Sequence, residues 1–381
     1  MNKLPSDWQI KTLNEVCFPS SSNIAYKDVK DKKGNYPIFG ASGIVAYADF
    51  YSKEKECLGI VKDGSVGKIF LLPAKSSVIS TLNYLENTDL SDIKYLYYFL
   101  HRINFSKYIK GSVIPHIYFR DYNKEKIPLP PLATQKQIAE RLDYLFDKIE
   151  KGIKYLKLAK ENIIEYKQSM LKYAFEGKLT DCNNWEIKTL GDLYEITSSK
   201  RVFKKEWKKE GIPFYRARDI VSFSKNETLK NPLFISYNMY NEYSKKYGIP
   251  SKDDILVTGV GTIGIPYLVK ENDRFYFKDG NIIWLKKRSN NIFSKYVYYL
   301  FFSNLLEFNS RGSTVLTYTI INAKNTKIPI PPIETQKEIV SILDKSFKSM
   351  DEIERLNNEN INNLLLLKKS LLKEAFSGRL I

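Results

Sequence analysis

The sequence predicts an α+β protein. Two globular domains of mixed helix and curved sheet are expected to be separated by two long antiparallel coiled-coil helices, the whole forming a pseudo-two-fold tandem repeat. Three observations predict this. One stretch occurs twice: residues 126–149 (KIPLPPLATQKQIAERLDYLFDKI) and 327–350 (KIPIPPIETQKEIVSILDKSFKSM) align without a gap at an offset of 201, with 12 identities in 24 positions. Each copy runs on into a helix with one apolar stripe. Ahead of each copy lies a segment rich in Tyr, Phe, Ile and Val, with short strand-like runs.

The repeat extends beyond the first match. Residues 169–180 (SMLKYAFEGKLT) match 370–381 (SLLKEAFSGRLI) at the same offset, with 7 identities in 12. WQIKTLNEV at 8–16 matches WEIKTLGDL at 185–193, now at an offset of 177. Gly64-Ser65-Val66-Gly67 matches Gly261-Thr262-Ile263-Gly264 at 197. Gly111-Ser112-Val113 matches Gly312-Ser313-Thr314 at 201. The second unit has therefore gained 24 residues, 20 of them between the Trp motif and the glycine turn. The boundaries expected are 1–133 and 181–333 for the globular domains and 134–180 and 334–381 for the long helices.

The helices are justified residue by residue. Thr134-x-x-Gln137 and Thr335-x-x-Glu338 read as capping boxes. A coiled-coil seam is expected along Ile138, Leu142, Leu145, Ile149, Leu156, Ile163 and Met170 in the first copy. In the second it runs along Ile339, Leu343, Met350, Ile353, Leu364, Leu367 and Leu371. Asn357 and Asn360 fall near that second seam. Gly177 and Gly378 stand where a C′ glycine ends a helix. From Gln135 to Glu176, a helix at 1.5 Å per residue is about 63 Å long. A single stripe of that length needs a partner, and the other copy supplies one.

In the globular segments, Glu56–Lys62, Ser77–Leu85, Asp254–Thr258 and Asn281–Lys286 read as strands. Asp92–Ile103 and Ser294–Phe308 read as helices, one in each segment. Gly64, Gly67, Gly261 and Gly264 suit tight turns. Gly259–Gly264 satisfies G-x-G-x-x-G, but strand-like sequence follows it, so a dinucleotide fingerprint is not expected.

Composition narrows the function. Among 381 residues there are 60 Lys and Arg against 43 Asp and Glu, a net charge of +17. The globular segments hold 14 of those 17 excess charges, while residues 334–381 are neutral. An AT-rich genome enriches lysine everywhere, so the uneven distribution points to a polyanionic partner for the globular segments. The three cysteines and two histidines form no CxxC or HExxH pattern. No metal site, catalytic constellation or nuclease pattern is found, and Asn231-Pro232-Leu233-Phe234 lacks the second proline of an amino-methyltransferase box. Few cysteines, no signal-like N-terminus and no spanning apolar run predict a cytoplasmic protein without a membrane partner.

The paired IPLPPLATQKQI and IPIPPIETQKEI, the helix ends at 171–179 and 372–380 and the WxIKTL openings resemble the specificity subunit of type I restriction-modification systems. The resemblance covers nearly the whole chain. It implies that each globular segment is a target recognition domain reading one half of a bipartite double-stranded DNA sequence. It implies that the helices set the spacing and dock two modification (methyltransferase) subunits, which two restriction (translocase and nuclease) subunits join. S-adenosylmethionine, ATP and Mg2+ then belong to those partners, and this chain carries no cofactor and no active site. DNA contact is expected from Lys30, Lys32, Lys33, Ser42, Lys62, Ser65, Lys68, Ser112, His116 and Arg120 in the first segment. In the second it is expected from Lys200, Arg201, Lys204, Lys205, Arg216, Arg218, Thr262, Ser313 and Thr314, mostly as phosphate contact. The competing readings are a non-catalytic scaffold, an anti-restriction protein, or a specificity subunit of a type IIB-like system.

Overall fold

The computed structural model describes residues 4–182, 184–225, 227–306, 308 and 317–381. It resolves into two compact units: Met1–Lys157 with Asn357–Ile381, and Leu158–Leu356. Each long helix therefore begins in one unit and ends in the other.

The first unit opens with β1 (Gln9–Thr12), the WxIKTL motif, followed by α1 (Leu13–Val16). Thr12 and Glu15 form a reciprocal cap, with the Glu15 carboxylate accepting from both the Thr12 N–H (2.7 Å) and its hydroxyl (2.6 Å). Next come β2 (Cys17–Ser21), α2 (Tyr26–Val29), β3 (Tyr36–Gly40), β4 (Gly43–Ala48), β5 (Cys57–Val61), β6 (Ile69–Leu72), β7 (Ser77–Val78) and β8 (Leu82–Asn87). They form an antiparallel sheet ordered β2-β8-β5-β6 and a smaller sheet β4-β3-β7, whose β3–β7 pair is parallel. The strand β5, CLGIV, is buried at every position, as a central strand covered on both faces must be.

Then follow α3 (Ile93–Leu100), α4 (Phe119–Tyr122), β9 (Lys126–Leu129) and the 44-residue α5 (Leu132–Phe175). The KIPL segment is β9, paired antiparallel with β1, so the two ends of the domain close on one another. Tyr95 of α3 donates to the Pro128 carbonyl at 2.6 Å. Lys94 (2.7 Å) and Tyr98 both bond the Asp143 carboxylate on α5.

The start of α5 corrects the capping-box reading. The helix begins at Leu132, with the Gln135 N–H bonded to the Pro131 carbonyl at 3.0 Å, so Thr134 lies inside it. Gln135 is instead the working residue of the motif. It is fully buried, accepts from the Asp92 N–H (2.8 Å), and donates to the carbonyls of Leu90 (3.0 Å) and Pro130 (2.8 Å). That amide ties the long helix to the N-cap of α3.

The second unit repeats this architecture. Its elements are β10 (Glu186–Thr189), α6 (Leu190–Leu193), β11 (Tyr194–Thr197), β12 (Ile212–Tyr215), α7 (Ala217–Ser224), β13 (Leu233–Ile235), α8 (Tyr237–Tyr247), β14 (Ile255–Thr258), β15 (Pro266–Leu268), β16 (Tyr276–Phe277), β17 (Ile282–Lys287), α9 (Ser294–Phe302), α10 (Ile320–Asn325), β18 (Lys327–Ile330) and the 43-residue α11 (Ile333–Ala375). The sheets are β11-β17-β14-β15 and β13-β12-β16, with β12–β16 parallel, matching the first unit strand for strand. Gln336 repeats Gln135, bonding the Phe293 N–H (2.9 Å) and the carbonyls of Asn291 (3.1 Å) and Pro331 (2.8 Å). Asp344 repeats Asp143, receiving Lys295 and Tyr299. The inserted residues appear mainly as α7 and α8, so this unit has more helix than the single segment read from sequence. Gly259–Gly264 joins β14 to β15, strand to strand.

Within the first unit, the start of α5 packs antiparallel against the end of α11. Glu150 meets Lys368 at 2.8 Å, and Phe376 packs on Tyr95 and Phe99 with ring centroids 4.8 and 5.4 Å apart. Within the second, the end of α5 meets the start of α11. Lys160 pairs with Glu354 (3.2 Å), Lys167 with Asp351 (2.5 Å), and the Phe175 ring lies 5.0 Å from Tyr296. Gly177 and Gly378 end the helices at φ +75° and +73°, with Trp185 and Trp8 respectively beside them.

The seam corrects two expectations. Ile138, Leu142, Ile149, Ile163, Ile339, Leu343 and Met350 are buried, and Leu145, Leu156, Met170, Leu364 and Leu371 are half-buried. Ile353 and Leu367 are 49% and 46% exposed. The less exposed neighbours are Glu354 and Lys368, whose stems cover the stripe while their charges pair across to the other helix. Asn357 is buried and Asn360 exposed.

Candidate nucleic-acid interface

In the first unit, the loops that carry polar candidates leave one end of the four-stranded sheet. There β2 and β5 run out and β8 begins, with Ser21 opposite Asn83 and Val61 opposite Leu82. The turn from β5 to β6 contains Gly64 and Gly67, both at φ +80°, a conformation that a side chain disfavours. A Cβ on Gly67 would also meet Phe105 at 2.8 Å. Hydrogen bonds gather three segments around this turn. The Gly64 N–H bonds the Pro115 carbonyl (2.8 Å), the Ile117 N–H bonds the Lys62 carbonyl (2.9 Å), and Lys68 Nζ donates to the Ala41 carbonyl (3.2 Å). Ser42, Lys62, Ser65, Lys68, Ser112, His116 and Arg120 are thereby brought to one end of the sheet. The His116 ring meets the Tyr118 ring edge-on (centroids 5.1 Å apart), and the Arg120 guanidinium lies 4.7 Å above Tyr118.

Lys30, Lys32 and Lys33 do not join this group. They precede β3 at the opposite end of the β3–β4 hairpin from Ser42, where Gly34 abuts Ala48. Lys32 covers the Phe50 ring at 4.8 Å, and Lys30 faces Asp31 at 3.8 Å.

In the second unit the corresponding sheet end carries the basic cluster. Gly259 N–H bonds the Asn281 carbonyl (2.8 Å), Ser198 Oγ donates to Ile282 (2.9 Å), and Arg201 pairs with Asp279 (2.8 Å). The glycine turn with exposed Thr262 and the segment from Lys200 onward therefore lie side by side. Gly261 and Gly264 take φ +80° and +75°. Burial works against the Asp279 carboxylate, but hydrogen bonds from Lys278 and Arg201 hold its pKa below the ordinary value. Lys200 lies 5.5 Å from the Tyr247 ring, and its N–H donates to Tyr276 Oη at 2.9 Å. Lys204 and Lys205 project from a short 3-10 turn and are exposed.

Sequence reasoning missed the contribution of α8. Tyr243 donates to the Arg201 carbonyl (3.3 Å), and Lys246 sits 5.4 Å from the Tyr247 ring. The i,i+4 spacing of Tyr243 and Tyr247 was the available signal. Arg216 is a correction. Its guanidinium makes two bonds to buried Asp219 (2.8 and 3.0 Å) and one to the Asn231 carbonyl (3.1 Å), and its side chain is only 17% exposed. That group closes the N-terminus of α7 and is not free for a ligand. Arg218 approaches the same Asp219 carboxylate at 3.8 Å, but its side chain is 62% exposed. Ser313 and Thr314 lie outside the described residues. Among the described residues, no cluster of His, Cys, Asp or Glu could hold a metal ion, and no helix is long and apolar enough to cross a membrane.

The two duplicated domains each gather basic and polar loops at one sheet end, and each leads into a long helix. The family model of the type I restriction modification DNA specificity domain matches residues 5–157 and 183–363. The chain belongs to that family. It is 31% identical over 349 residues to S.HindORF215P of Haemophilus influenzae, a candidate type I restriction enzyme specificity subunit, covering 89% of this chain and 88% of the relative. Its fold is similar to a chain solved in work on complex assembly and conformational transition of the type I R-M system, with a TM-score of 0.77, 16% identity and 100% of both chains covered. It is also similar to the HsdS subunit of Thermoanaerobacter tengcongensis, with a TM-score of 0.59, 16% identity, and 99% and 98% covered.

Proposed function

We propose that this chain is the DNA-recognition subunit of a type I restriction-modification complex, and that residues 1–133 and 181–333 are its two target recognition domains. Each domain reads one half of a bipartite target through the loops at the end of its four-stranded sheet. The long helices set the distance between the half-sites and dock two modification subunits, with two restriction subunits joining them. Methyl transfer, ATP-driven translocation and cleavage belong to those partners, together with S-adenosylmethionine, ATP and Mg2+.

The observation that carries this reading is the duplicated convergence of basic side chains on one sheet end, with Lys200, Lys204 and Lys205 in the second domain and Lys62, Lys68 and Arg120 in the first. Phosphate contact by lysine releases counterions, so binding falls with salt at a slope of about −0.9 per contact. Lys204→Ala with Lys205→Ala should weaken binding to every sequence and flatten the log K against log salt slope by about 2. A mobility shift of the chain with its modification subunits, titrated with salt, measures this. An unchanged slope contradicts it. Salt-sensitive binding with no sequence preference would favour the scaffold reading.

A further inference from the structure

The loop of residues 110–116 in the first unit is a tight hairpin with an apolar tip. Lys110 and His116 exchange both backbone hydrogen bonds, at 2.9 and 2.8 Å, which leaves a five-residue connection. Gly111 turns it at φ +87°, where an added Cβ would meet the Ile114 carbonyl at 2.5 Å. Its far side is pinned to the glycine turn by the Gly64–Pro115 bond of 2.8 Å. Val113 at the tip is 90% exposed and Ile114 is 63% exposed. Isolated exposed apolar residues are ordinary, but two adjacent β-branched ones on a braced tip are a different case. Segments 62–68 and 107–124, which build this region, carry six basic and two acidic residues. The environment is that of a polyanion-facing surface, and the apolar tip is its least charged point.

The repeat within the chain separates the frame of this loop from its tip. Gly111-Ser112 recurs as Gly312-Ser313, whereas Val113-Ile114 is replaced by Thr314-Val315. In the sequence, therefore, the Gly-Ser pair is shared by the two halves and the two residues after it differ, as residues that read different bases would.

We propose that Val113 and Ile114 form an apolar finger that reads the half-site of the first domain by contact with a thymine methyl group in the major groove. This rests on the DNA-recognition function proposed above. Lysine and arginine on the flanks hold phosphates and carry no sequence information by themselves, while the C5 methyl of thymine is the one apolar group on a major-groove base edge.

The test uses the full chain assembled with its modification subunits and duplexes carrying the bipartite target found by methylation mapping. Each thymine of the first domain's half-site is replaced in turn by deoxyuridine, which removes only the methyl group. Wild type should lose about tenfold in affinity at one such position. Val113→Ser with Ile114→Ser should lose about tenfold on the thymine target, be indifferent to that deoxyuridine, and keep its salt slope, because no ionic contact is removed. Val113→Thr keeps the branched shape and repeats the measurement with one methyl changed to hydroxyl.

A half-site without thymine, a wild type indifferent to every deoxyuridine, or losses that multiply independently would overturn the finger. So would loss of subunit assembly in both variants, which would assign the tip to a protein contact. A wild type with no sequence-specific binding at all would overturn the DNA-recognition reading itself, an outcome distinct from a specific wild type that ignores the methyl.

Discussion

Single side chains in this protein show which residues serve the fold and which are left for a partner. Arg216 and Arg218 both face Asp219, yet the first is hydrogen-bonded to it and 17% exposed, while the second stands 3.8 Å off and is 62% exposed. Glu15 shows the same commitment in the first unit. Bonds from the Thr12 side chain, the Thr12 N–H and Lys11 lower its pKa from 4.5 to about 2. A folded-state pKa depressed in this way contributes stability above about pH 4.5 that is lost as the pH falls through 2. The thermal midpoint of wild type should therefore drop more steeply between pH 5 and 2 than that of Glu15→Gln; parallel curves would contradict the cap. Asn357 is the opposite case. It is buried, its amide nitrogen has no hydrogen-bond acceptor, and the equivalent residue of the first helix is Leu156. Asn357→Leu should stabilise the protein by about 1 kcal/mol in a denaturant titration, whereas a loss of stability would show the amide to be satisfied in solution.

At the scale of elements, the repeated motifs are the joints of the fold. The Trp motif is a strand, the KIPL motif is its antiparallel partner, and Gln135 and Gln336 bolt a long helix to the adjoining domain. Gln135→Leu leaves a backbone N–H and two carbonyls of the joint without partners and should cost about 3 kcal/mol; a shift in the urea midpoint corresponding to less than about 1 kcal/mol would contradict that role. Much of this level was legible in the sequence. Duplication gave the element pairs, strand-like and helix-like runs gave β5, α3, β14, β17 and α9, and the glycines marked the turns, but the run Ser77–Leu85, read as one strand, is divided between β7 and β8 in different sheets. The helix start was misplaced because Thr134 resembles a cap while the true N-terminus follows two prolines. The seam was misread at Ile353 and Leu367 because its inward positions hold Glu354, Asn357 and Lys368, which an apolar pattern does not register. The proposed recognition surface is legible in the sequence as charge but not as geometry. No local signal separated Lys30, Lys32 and Lys33 from the glycine-turn cluster, and the exposed Val113–Ile114 tip looks like ordinary strand sequence.

At the scale of the whole molecule, the chain is one architecture used twice with different loops. Each unit takes the beginning of one long helix and the end of the other. If the helices set the half-site gap, inserting four residues at equivalent places in both lengthens each by about 5.4 Å to 6 Å, one to two base pairs at 3.4 Å each. The preferred gap should grow accordingly in a methylation map, and a fixed gap would contradict the spacing role. If this chain chooses the DNA sequence for its complex, single-molecule methylation sequencing of the host with and without the gene should show one asymmetric, bipartite adenine-methylated motif disappearing when the gene is removed; an unchanged set of methylated motifs would contradict that role.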